Sequence, residues 1–142
     1  MTPFDAVAEL LREQPDPAAL AVLRRGASAW LRARGTVPFD RCLKLPSARQ
    51  IRRQTRDFAI AEALRLVPGA TGHARALLVH RLLTDNASRG TWHRWHSMAG
   101  PPADCGALQH RAYEVLSNGG NPAAPTVPSL TLLRQHAAEI WP

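Results

Sequence analysis

Arg49, Arg52, Arg53 and Arg56 follow one another at offsets of three, four and seven residues. That spacing puts all four on one face of an α-helix, within an arc of roughly a third of its circumference at 100° per residue. A guanidinium stays charged at any physiological pH and offers a planar fork of donors that matches a phosphate. The chemistry such a stripe supports is neutralisation of several phosphates at once, with release of their counterions. Gln50 and Gln54 flank it, and an amide reads an adenine edge where a helix enters a major groove. Arg24, Arg25, Arg32, Arg34, Arg41 and Lys44 lie nearby in sequence. The competing reading is a solvated helix face with no ligand.

A second candidate is the run Thr91-Trp92-His93-Arg94-Trp95-His96. Trp92 and Trp95 are three apart, on one helical face, with Arg94 between them. Exposed, they would stack on unpaired bases or anchor a protein partner. Buried, they are core anchors, which is the commoner fate of tryptophans at this spacing, and the same holds for Trp30 and Trp141.

Metal and catalytic readings are weaker. His93, His96, Cys105 and His110 are all zinc-ligand types, but the order H-x2-H-x8-C-x4-H fits no established zinc spacing and Pro101-Pro102 interrupts it. His73 and His80 stand two turns apart, too far to chelate one ion from one helix. No metal and no cofactor is expected. The chain has no nucleophile elbow, phosphate-cradling glycine loop, HExxH or paired carboxylates, so the expectation is a non-enzymatic protein.

The elements that must position these residues read as helices throughout. Asp5 is placed as the cap of a first helix reaching about Glu13, before Pro15. Asp16-Pro17 joins a capping carboxylate to a ring preset for the first helical position. The helix it opens carries Leu20, Leu23, Ala27, Trp30 and Leu31 and stops at Gly35. Thr36 to Leu45 reads as a turn or one short helix. Pro46-Ser47 opens a central helix, about Ala48 to Val67. Its first half bears the arginines opposite Ile51 and Phe58, and its second half is apolar nearly all round, hence core. Thr71 caps a helix with Leu78, Val79, Leu82 and Leu83. Asp104 is placed as the cap of one with Leu108, Ala112, Val115 and Leu116, ending at Asn118-Gly119-Gly120. Ser129 starts a last helix with Leu130, Leu133, Ala137 and Ile140. With no alternating strand pattern, the class is all-α: one irregular bundle of six or seven short helices in a single domain, 1–142.

A helix-turn-helix is not matched. The last helix begins like a recognition helix, but its connection back is about ten residues where the motif wants roughly three or four. The Thr71 helix and the tryptophan element have a better turn but little to read bases with.

Composition narrows the class. The chain has 142 residues, 45% of them hydrophobic, which suffices for a core. Its start is acidic where a secretory signal would be basic, and its longest uncharged stretch, Val115 to Leu133, contains prolines and glycines that forbid a spanning helix. Cys42 and Cys105 are too few for a disulfide framework and fit a reducing, cytoplasmic setting. Net charge is +7, and all basic residues but Lys44 are arginine, a bias that GC-rich genomes also write. The distribution says more than the total. Residues 1–23 carry −3, residues 24–65 carry +8 and residues 66–142 carry +2. One strongly basic segment is what a polyanion-binding surface requires. The sequence therefore leads to a bacterial or phage accessory or regulatory protein that binds nucleic acid through Arg49, Arg52, Arg53 and Arg56. The alternative is an inhibitor or adaptor that meets an acidic protein partner with the same face, or with Trp92/Trp95.

Overall fold

Four of the helix starts, those of α1, α2, α5 and α8, are set by a side chain that satisfies an amide group the first turn leaves open. The computed structural model describes residues 2–9, 14, 16–88, 91–101, 103–121 and 124–142, with the backbone alone for Phe4. Helix α1 (Pro3–Glu9) is capped by Thr2 rather than by Asp5. The Asp5 amide donates to Thr2 Oγ1 at 3.1 Å, and the Thr2 amide donates back to the Asp5 carboxylate at 3.0 Å. Asp5 is thus the third-residue partner of a reciprocal capping pair. Hydrogen bonds from the Thr2 side chain first, then from its backbone, hold the Asp5 carboxyl below its ordinary pKa. The expected end of this helix near Glu13 lies outside the described residues.

Asp16 caps α2 (Pro17–Arg32) as its sequence indicates, accepting from the Ala18 amide at 2.8 Å. Arg34 and Gly35 follow at positive φ and end it. The segment read as a turn or one short helix is α3 (Phe39–Cys42). The chain divides into two compact units, Met1–Ala48 and Arg49–Pro142, where length alone suggests one domain. In the first, α2 packs on both α1 and α3. Gly26 makes the second contact possible: a Cβ there would stand 2.1 Å from Leu43 Cδ2. Trp30 meets Phe39 edge to face at 5.9 Å.

The second unit holds α4 (Ala48–Leu66) from Arg49 onward, α5 (Gly72–Ser88), α6 (Thr91–Trp95), α7 (Ala107–Ser117) and α8 (Leu130–Ile140). The fold is all-α, with eight helices and no strand among the described residues, one more helix than the upper expectation. Thr71 and Ser129 cap α5 and α8. Asp104 does not cap α7, which begins two residues later than that reading requires, after Gly106. Ile60, Leu64, Val79, Leu83, Val115, Leu116 and Leu133 are fully or almost fully buried and come from α4, α5, α7 and α8. This core closes around the second half of α4. Arg75 of α5 fixes the end of that helix, donating to the carbonyls of Leu64, Arg65 and Gly69 at 3.1–3.3 Å. Its guanidinium also lies 4.5 Å from the Trp141 ring. No helix among the described residues is long and apolar enough to cross a membrane.

Candidate nucleic-acid interface

The two halves of α4 have different neighbours because they have different side chains. Ala59, Ile60, Ala63 and Leu64 are buried, and they anchor the helix in the core. Arginine cannot follow them inside without a partner for every buried charge, so the preceding turns keep their arginine face in water. Arg49, Arg52 and Arg53 are exposed and Arg56 is half-buried. Of the two residues placed opposite them, Ile51 is half-buried, while Phe58 is exposed and lies 5.3 Å from the Arg111 guanidinium.

Those four arginines line a single concavity of about 510 Å³, together with Asn118, Gly119 and Gly120. The stripe is about 10 Å long, from seven residues at 1.5 Å each. Along a nucleic-acid strand that length spans the axial rise of about three phosphates.

The charges are unequally compensated. Asp57 is the one carboxylate in contact with the stripe among the described residues. Its Oδ1 lies 3.3 Å from Arg56 and its Oδ2 lies 3.7 Å from Arg53 Nε. His136 Nε2 of α8 approaches the same carboxylate at 3.8 Å. Neither Arg49 nor Arg52 has an acidic partner among the described residues. Like charges at these helical offsets cost a helix about 0.2–0.5 kcal/mol per pair. The stripe therefore opposes folding slightly, and offers four guanidinium forks to an anion.

The far side of the concavity is the end of α7. The Asn118 side-chain amide donates to the Glu114 carbonyl at 2.8 Å, and the chain then turns through Gly119 and Gly120. A Cβ on Gly119 would stand 2.9 Å from the Thr126 carbonyl oxygen, and Gly120 has φ +132°. Side chains are disfavoured at both positions, so this part of the wall is bare backbone. Sequence reading sees Asn118-Gly119-Gly120 only as the stop of a helix. No periodicity connects residues 49–56 with 118–120, so their meeting is a product of the tertiary fold.

The other candidates fall elsewhere. Gln50 and Gln54 are exposed but do not line the concavity. Lys44 belongs to the first unit, at φ +55°. Arg94 is exposed on α6, but Trp92 and Trp95 are buried at 3% and 7% exposure, which corrects their reading as a binding element. Both rings pack on Tyr113 of α7, at centroid distances of 6.1 and 5.9 Å. Two apolar rings of this size gain more from a facing aromatic than from water. Burial also removes α6 as a base-reading helix. His93 and His96 meet edge to face at 6.2 Å, and no group of three or more His, Cys, Asp or Glu able to hold a metal forms among the described residues. Both cysteines are free thiols of intermediate burial.

Comparison with protein families, curated proteins and solved structures finds no match to this chain.

Proposed function

We propose that this chain is a non-enzymatic, cytoplasmic accessory or regulatory protein that binds nucleic acid through the phosphate backbone, using Arg49, Arg52, Arg53 and Arg56. The observation that carries this reading is the gathering of the four arginines of the stripe around one concavity, with one carboxylate in contact with them among the described residues. Opposite charges four residues apart stabilise a helix, and on this face Arg53 and Asp57 are the one such pair among the described residues. The rest of the stripe sets like charges side by side, and the second unit keeps its stability in the buried half of α4 instead. Phosphate is the anion best suited to a guanidinium fork, and the stripe has the length of a short backbone segment.

The burial of Trp92 and Trp95 leaves the arginine face as the surface on which an acidic protein would have to compete. The test is binding of labelled nucleic acid by fluorescence anisotropy across a salt series. The logarithm of affinity should fall linearly with the logarithm of salt concentration. Binding should be lost when Arg49, Arg52, Arg53 and Arg56 are all replaced by Ala, with the helical circular dichroism unchanged. Unaltered binding by that variant would sink the proposal. Pull-down of a protein from nuclease-treated lysate, dependent on the same arginines and without nucleic-acid affinity, would replace it by the protein-partner reading.

A further inference from the structure

We infer that the arginine-lined concavity takes the phosphodiester backbone of an unpaired strand, without reading its bases, in preference to the intact duplex; this rests on the nucleic-acid reading above. The argument begins with width. A lone α-helix with its side chains is about 10–12 Å across and just fills a major groove about 12 Å wide. The arginine face of α4 does not stand alone. Asn118, Gly119 and Gly120 line the same concavity as the arginines, so a groove would have to admit the helix and this wall together. The outline of a duplex is convex and rigid, so its phosphates enter a walled concavity less readily than those of a single flexible chain. Its volume, about 510 Å³, is on the scale of clefts that hold a small molecule or a short chain segment.

The chemistry of the lining then decides what part of the strand is held. All seven lining residues are arginines, an asparagine or glycines, and none is aromatic. Stacking platforms for bases need exposed rings. Trp92 and Trp95 are buried against Tyr113, and Phe58 lies on the opposite side of α4 from the arginines. The site therefore grips phosphates and leaves the bases outside. Arg49 and Arg52 supply the two guanidinium groups with no acidic partner among the described residues. Arg53 and Arg56 share Asp57, which offsets part of their charge towards a phosphate. The backbone wall at Gly119-Gly120 lets the chain lie close, where any side chain would collide with Thr126 or force the φ of +132°.

The experiment uses the full chain with three probes at matched salt: a labelled oligothymidylate, a labelled oligoadenylate of equal length, and the duplex formed from the two. Inorganic tripolyphosphate serves as competitor. The two single strands should bind alike, and both should bind roughly tenfold or more tightly than the duplex. Their salt slope should be near −2, about 0.7 for each of about three neutralised phosphates, and should shrink in the Arg49→Ala/Arg52→Ala variant. Duplex binding as tight as single-strand binding, and dependent on the same arginines, overturns this inference while leaving the nucleic-acid reading in place. Tighter binding of tripolyphosphate than of either strand also overturns it, and assigns the site to a free oligophosphate. Failure of every nucleic acid to bind removes both readings together.

Discussion

The arginine stripe of α4 and the tryptophan pair of α6 have the same kind of sequence signature and opposite fates. Both place a group capable of binding at three-residue spacing on a helix. The arginines line an open concavity, whereas the tryptophans are buried at 3% and 7% exposure against Tyr113. Spacing alone does not separate the two cases; transfer energetics do. An indole gains free energy on leaving water, and a guanidinium loses it unless each donor is satisfied. The helix that carries a residue type thus matters less than whether the fold has a partner for it. Arg75 makes the same point from the other side. Three carbonyls and the Trp141 ring receive its guanidinium, so it serves the fold, while Arg49 and Arg52 have no such partners among the described residues.

This contrast is breakable by substitution. The largest effect should come from Trp92→Ala, which removes a fully packed ring and should lower unfolding stability by about 3–5 kcal/mol in urea titration; a loss below about 1 kcal/mol would mean the ring is not a core anchor. Arg75→Ala should follow at about 1–3 kcal/mol, from carbonyls of α4 left without their donor. In contrast, Arg49→Ala/Arg52→Ala should leave stability within about 0.5 kcal/mol, or raise it slightly, while weakening nucleic-acid binding by roughly tenfold or more. Loss of stability in that variant would erase the distinction between structural and binding arginines. Tyr113→Phe sharpens the tryptophan side: it deletes the 2.8 Å hydrogen bond to the Met98 carbonyl but keeps the ring, and should cost about 1 kcal/mol.

The smallest effect concerns pH. The Asp5 carboxyl lies below its ordinary pKa because Thr2 donates to it. Its folded-state value is the lower one, so its contribution to α1 is present above the ordinary carboxylate value, about 3.9, and is lost as pH falls through the lowered value. Titration followed by NMR should show the Asp5 midpoint returning towards the ordinary value in Thr2→Ala.

The fold class was legible because helix punctuation is local. Asp16-Pro17, Thr71 and Ser129 each cap the helix expected of them, and the apolar second half of α4 is core. Where local rules compete, the sequence misleads. Asp5 and Asp104 are both good caps by type, yet Thr2 takes one role through a reciprocal bond and Gly106 occupies the other position. The candidate site was half legible. Periodicity puts the four arginines on one face, but their opposing wall comes from residues more than sixty positions away. Nothing in the pattern of Asn118-Gly119-Gly120 distinguishes a helix stop on open surface from one that closes a concavity. Tryptophan burial depended likewise on Tyr113, whose position opposite α6 is a tertiary fact.

The central claim is that the α4 arginines bind nucleic-acid phosphate, and anisotropy of a labelled oligonucleotide across a salt series tests it most directly, comparing the natural chain with the variant in which Arg49, Arg52, Arg53 and Arg56 are Ala. The account predicts salt-dependent binding by the natural chain and none by the variant at equal helicity. Equal binding by the two, or no binding by the natural chain at low salt, would contradict it.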